Sequence, residues 1–173
     1  MQMEFAQNLK SLKPFIMNKH FLKAAILSGL IAGVVFMMLE MILVPVFMNG
    51  SPWGPPRMIA AIILGKDVLP MPGQPVTFDF GVLMVAMMLH FMLSIVYAFI
   101  IGWICKSLSM GTSILLGAVF GLVLYFVNFY GFTVIFPWFA MARNWVSIFS
   151  HLMFGVIAVY SFKKIYYPET ITA

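Results

Sequence analysis

Four side chains in this sequence bring donor or acid–base chemistry into otherwise apolar surroundings: Glu40, His90, Asn128 and His151. Two imidazoles and a carboxylate suit iron, zinc, manganese or copper. Asn128 would then be a fourth ligand or the partner that orients one. The two histidines alone could hold haem b, although a carboxyl and an amide in the same layer would crowd the porphyrin. Glu and His chains inside a membrane also mark proton and solute pathways. The blandest reading is a polar cluster whose members hydrogen-bond one another and fix helix register. From the residues alone, all four readings stay open.

Glu40 and Asn128 each close a stretch of the same layout. Residues 29–40 read GLIAGVVFMMLE and residues 117–128 read GAVFGLVLYFVN, with glycines eleven and seven positions before the polar residue in both. On an α-helix, Gly29 and Gly33 each fall within about 20° of Glu40. One helix face therefore carries a smooth groove at one end and a carboxyl at the other. The histidines echo each other too, in HFMLS at 90–94 and HLMFG at 151–155. These matches suggest two copies of a helix pair. Glu40 would then correspond to Asn128 and His90 to His151, about an axis along the membrane normal.

The elements that must position these residues follow from composition. The chain has 173 residues, 63% hydrophobic and 9% charged. A soluble domain averages roughly 45–50% apolar and about 25% charged, so a membrane protein is the reading that accommodates this chain. Four apolar runs, at about 24–48, 81–104, 114–136 and 145–162, predict four spans. Short connections make an all-α, up-down four-helix bundle. Counted along their spans, the four polar residues lie seven to nine positions from the end facing the 49–80 loop. At 1.5 Å per residue that is one layer about 11–14 Å deep. Intramembrane polar groups face the bundle interior and find partners. Spans two and four should be diagonal, with their histidines facing across the core.

Residues 1–23 interleave lysines with Phe and Leu and read as an amphipathic segment on the membrane surface. A signal peptide fits poorly, since no small-residue cleavage site follows. The loop at 49–80 is rich in Gly and Pro. Its short apolar piece suits an interfacial or re-entrant helix opened by Pro55 and Pro56 and closed by Gly65. The tail at 163–173 follows Lys163 and Lys164. Seven basic residues fall on the side of the termini and three on the other, which places both termini in the cytoplasm. The net charge of +5 is thereby spent on topology, and nucleic acid is rejected as a partner. The expected surroundings are a lipid bilayer, with a homo-oligomer or a larger membrane complex as further partners.

Glycine grooves let helices approach closely, and both grooves lie in the halves near the termini. The bundle should be pinched shut there, leaving space for a cavity in the outer half. The 16 methionines crowd around Glu40 and His90. Thioethers are soft copper(I) ligands, but flexible apolar filling is the preferred reading, because Met37 and Met38 cannot both point inward. His20 should be solvated, and the single cysteine, Cys105, should stay reduced. No phosphate-binding glycine loop and no Ser/His/Asp set placed for catalysis appear, which leans against an enzyme.

The stretches VPVFMNGSPWGPPRMIAAIILGKDVLP and NFYGFTVIFPWFAMARNWVSIFSHLMFG resemble a group of small four-span bacterial inner-membrane proteins, some of which carry the label sodium:proline symporter. The likeness covers roughly residues 33–160. It implies bacterial origin and four spans, and it brings no functional residues with it. Sodium-coupled symporters use two repeats of several helices each, a plan that four helices reach only by oligomerising. The leading expectation is therefore a small membrane protein holding a metal ion or cofactor through Glu40, His90, Asn128 and His151. The alternatives are a small transporter or proton-coupled subunit using the same layer, and a structural subunit of a membrane complex.

Overall fold

The computed structural model of the chain describes residues 19–71 and 73–167. These residues form helices and turns, with no strand among them. The helices are α1 (Lys19–Met48), α2 (Gly54–Leu64), α3 (Phe80–Cys105), α4 (Met110–Phe126) and α5 (Trp145–Tyr166). α1, α3, α5 and the stretch Met110–Val134, which begins with α4, are long and apolar enough to cross a bilayer. α2 has 11 residues and is too short. The chain is a multi-pass integral membrane protein with the expected up-down arrangement. One end of the bundle carries loops 49–79 and 135–144; the other carries the 106–109 turn.

Lipid accounts for what the surface shows. Ile31, Val34, Met38 and Ile42 make an exposed apolar face on α1, and Leu115, Val119 and Val123 make another on α4. Met84, Met88 and Met92 recur every four residues on α3 and are all more than half exposed. They therefore lie on the lipid face, while Met37 is buried. The methionine cluster read from the sequence divides between the two environments.

The helix ends follow local chemistry. Asp79, Ser109 and Asn144 cap α3, α4 and α5, their side-chain oxygens accepting from the N–H groups of Val82, Thr112 and Ser147. α2 opens on Pro55 and Pro56 and stops at Gly65, whose φ of 85° suits a residue without a Cβ. Residues 1–18 of the expected surface segment lie outside the described residues, but Lys19–Lys23 continue α1. Phe21 gives the reason: it is buried against Phe99 and Phe162, both with ring centroids 5.1 Å away. α5 likewise runs past Lys163 to Tyr166.

Packing departs from a square ring. α1 lies against both α3 and α5, and α4 lies closely on α5, whereas the backbones of α3 and α4 make little approach. Tyr97 and Phe120 bridge the space between them at 6.4 Å. Nearer the loops, α2 fills the opening. Its Ala60 packs with Val82 and Ala86 of α3, and its Met58 and Ile62 pack against Phe129 and Phe139. Trp138 Nε1–H ties the two sides by donating to the Met58 carbonyl at 3.0 Å. The short loop helix is thus a wall of the bundle at its loop end.

At the turn end the helices close on glycine. A Cβ on Gly29 would stand 2.6 Å from Ile95 Cα, and one on Gly117 would stand 2.6 Å from the Gly155 carbonyl oxygen. Nearby, Lys163 is 9% exposed and donates to the carbonyls of Leu108 (2.6 Å), Cys105 (3.4 Å) and Lys106 (3.4 Å). A cation at the C-terminal end of α3 also meets the negative end of its dipole. Lys163→Met removes one donor from three carbonyls and should cost about 1–3 kcal/mol. Cys105 is 0% exposed beside that contact. Its maleimide labelling in mild detergent should accelerate in the variant while remaining slow in the parent.

Candidate functional site

The four sequence-derived residues come from four different helical segments and border one cavity of about 260 Å³ in the loop half of the bundle. Each is positioned for a distinct local reason. His90 sits on α3 where Gly33 of α1 offers a backbone carbonyl, and His90 Nε2–H donates to it at 2.9 Å. The approach depends on the missing side chain, since a Cβ on Gly33 would lie 2.8 Å from Ser94 Oγ and 3.1 Å from the Phe91 ring. His151 on α5 gives its Nδ1–H to the Ser147 carbonyl at 2.7 Å, one turn back. With that nitrogen protonated, neutral His151 presents a bare Nε2, which accepts from Asn128 Nδ2–H at 3.1 Å. The hydrogen-bond partners thus assign both tautomers.

Asn128 is presented by a break in the helix. α4 widens into a π-helical segment over Val127–Gly131 and then tightens into a 3₁₀ turn at Phe132–Val134. Such widening leaves carbonyls without helical partners and recurs at functional sites. Arg143 holds the segment. Its Nε–H donates to the Phe129 carbonyl at 2.7 Å, its Nη2–H to Thr133 Oγ1 at 3.0 Å, and its guanidinium lies 4.3 Å from the centre of the Tyr130 ring.

Glu40 is different. It is 5% exposed, it borders the cavity, and its neighbours on α5 are the hydroxyls of Ser147 and Ser150. The three groups lie side by side, yet Glu40 Oε1, Ser147 Oγ and Ser150 Oγ are all buried without a hydrogen bond of acceptable geometry. A hydrogen bond between the carboxyl and a histidine, as the polar-cluster reading would have it, does not form. Both imidazole N–H groups are committed to backbone carbonyls, and the one remaining short polar contact goes to Asn128.

The two histidines also do not meet directly. Phe36, one turn before Glu40 on α1, stacks on His90 at 5.4 Å and 28° and meets His151 edge-on at 4.8 Å and 88°. Among the described residues, no three His, Cys, Asp or Glu side chains gather closely enough to hold a metal ion. His20 lies at the start of α1, far along the helix from this layer, and is exposed.

Several contributors were missed in the sequence. Ser147 and Ser150, three residues apart, lie four and one positions before His151 on α5, a spacing that is visible once Glu40 is known to be opposite. Phe36 shares the face of Glu40 by the same i, i+4 rule. Met58, Ile59 and Ile62 of α2 line the cavity wall; no periodicity in the crossing helices points to them. No protein-family model matches this chain, and no curated protein or solved structure matches it. The fold and the site therefore define only a class: a four-span integral membrane protein with a mainly apolar pocket bordered by a few polar side chains.

Proposed function

We infer that the protein is a membrane-embedded binding protein whose loop-half cavity takes a compact, largely apolar ligand bearing one polar group. The observation that carries this reading is Glu40, whose carboxyl borders a cavity of about 260 Å³ with its Oε1 buried and without a hydrogen bond of good geometry, beside the hydroxyls of Ser147 and Ser150. A buried polar group left unpaired costs about 1–3 kcal/mol, and a chain that keeps one beside a cavity has a use for it there. Aromatic and aliphatic walls with a few convergent polar groups are the usual make-up of small-molecule sites. The volume lies below the roughly 300–1,000 Å³ of drug-sized pockets, so the ligand is small.

A metal ion on Glu40, His90, Asn128 and His151 is the weaker reading. No three His, Cys, Asp or Glu side chains gather among the described residues, Phe36 packs against both imidazoles, and the Asn128 amide is engaged by His151. Transport by the same layer would require the cavity to open at the turn end, where glycine packing closes the helices. The excess of basic residues near the termini favours both termini in the cytoplasm and the cavity facing outward; a bacterial inner-membrane setting rests on the resemblance noted in the sequence.

Gly54 offers a clean test. It borders the cavity, and a Cβ placed on it would meet nothing within 4 Å. Gly54→Trp should therefore fold and put an indole in the mouth. A set of compact amphipathic compounds should raise the melting temperature of the parent in mild detergent, with the shift abolished in Gly54→Trp. Equal shifts in both proteins would place the binding elsewhere and overturn the reading.

A further inference from the structure

Charge balance narrows the ligand. Among the described residues, Glu40 is the only acid bordering the cavity, and no lysine or arginine borders it. The nearby arginines are occupied: Arg57 binds the carbonyls of Thr77 and Val68, and Arg143 binds the Phe129 carbonyl and Thr133. The other titratable groups around the cavity are His90 and Tyr97 from α3 and His151 from α5; α2, the Val127–Gly131 segment and the 137–142 turn contribute none. Each histidine already donates its ring N–H to a backbone carbonyl. A carboxylate taken out of water needs a balancing positive charge, and no side chain here supplies one.

The walls indicate which positive charge fits. Phe36, Phe129, Phe132 and Phe139 border the same space, and aromatic faces attract soft cations. A hard metal ion would need several oxygen ligands; Glu40 is the one carboxyl among the described residues bordering the cavity, Ser51 and Asn144 are already engaged by backbone groups, and no three His, Cys, Asp or Glu side chains gather among the described residues.

We propose that the cavity binds a compact monovalent organic cation of the alkylammonium type, and that this cation and a proton are alternative occupants of Glu40. The proposal rests on the ligand-binding reading above. When the cation enters, the Glu40 O–H bond breaks, the proton leaves to bulk water and the ammonium takes over the balance of charge. Net charge inside the cavity is unchanged. Exchange of this kind at one carboxyl is the binding step that a proton-coupled carrier requires.

The test uses benzyltrimethylammonium and its uncharged carbon isostere, neopentylbenzene, titrated calorimetrically into the full-length protein in mild detergent. Two buffers of different ionisation enthalpy count the protons. The cation should bind at least tenfold more tightly than the isostere and release up to one proton per cation. Its affinity should fall as pH falls, by up to tenfold per unit. Glu40→Gln, nearly the same shape, should lower cation affinity at least tenfold, abolish proton release and leave isostere binding unchanged. Equal binding of cation and isostere by the parent would overturn the proposal while leaving the cavity reading intact. Proton release that survives in Glu40→Gln would assign the proton to a histidine and also overturn it. Binding of neither compound, with Gly54→Trp indistinguishable from the parent, would remove the cavity reading and the proposal together.

Discussion

Replacing Gly155 by alanine should cost about 1–3 kcal/mol, the usual range for forcing atoms into a packed core, and replacing it by leucine should deplete the folded bundle. The reason is local. A Cβ on Gly155 would run into the Gly117 carbonyl oxygen, and one on Gly121 would run into that of His151. These obstacles are backbone atoms, which cannot swing aside as a side-chain end can. α4 and α5 would have to separate along the contact that holds α4 to the rest of the molecule, since α3 gives it little support. Separation would also stretch the 3.1 Å contact between Asn128 and His151, so damage at the turn end would reach the cavity. Gly111→Ala is the matching control. It lies in the first turn of α4 with nothing within 4 Å of an added Cβ, and removal of glycine's backbone freedom should leave stability unchanged or raise it by up to about 1 kcal/mol. Unfolding in mixed detergent micelles, followed by helical circular dichroism, would rank the four proteins. Equal stability of Gly155→Ala and the parent would mean that α4 and α5 are not held at this glycine contact.

The class of fold was legible because it depends on a coarse property. Apolar runs separated by Gly/Pro turns leave a bilayer-spanning helix as the way to satisfy the backbone, and each run produced one helix. The pinched turn end was legible for a related reason: glycine at a four-residue spacing, as at Gly29 and Gly33 or Gly117 and Gly121, forms a groove whatever lies opposite. The four polar residues were found by rarity, and their shared depth brought them to a common cavity. The pairings were not legible. Rotation of one helix by a few tens of degrees decides whether Glu40 meets a histidine or the two serines, and the sequence holds no direct record of that angle. Nor does a helical repeat reveal where α4 widens. Asn128 reaches His151 from a π-helical segment held by Arg143, a residue 15 positions later that reads as an ordinary loop charge. The two helix pairs differ at just this point. In one, the histidine takes the Asn128 amide; in the other, it takes the Gly33 carbonyl, and Glu40 lies beside Ser147 and Ser150 instead. A tandem correspondence between the pairs would predict equivalent contacts, and the contacts here are unequal. The same uncertainty of rotation hid Phe36. By interval it belongs with Glu40, but only the assembled bundle shows it standing between two imidazoles.

Glu40→Met should make the protein more stable, by about 1–3 kcal/mol, in the same detergent assay. A substitution at a well-buried position ordinarily destabilises, so the sign is the informative part. The carboxyl of Glu40 is largely removed from water, and its Oε1 has no hydrogen bond of good geometry. An apolar side chain of similar length ends that penalty and adds contacts with Phe36 one turn away. The serine hydroxyls lose nothing of good geometry, and each remains free to bond a backbone carbonyl of its own helix, as serines in helices commonly do. Glu40→Gln keeps the buried polar burden and should leave stability within about 0.5 kcal/mol of the parent, which separates the effect of polarity from that of shape. A stabilised but non-binding Glu40→Met is the pattern expected of a residue retained for a ligand, since binding sites hold groups that folding alone would discard. The opposite sign would have an equally definite meaning. Loss of stability in Glu40→Met would show that Ser147 and Ser150 grip the carboxyl, that the polar layer exists to fix the register of α1 against α5, and that the cavity needs no occupant to account for it.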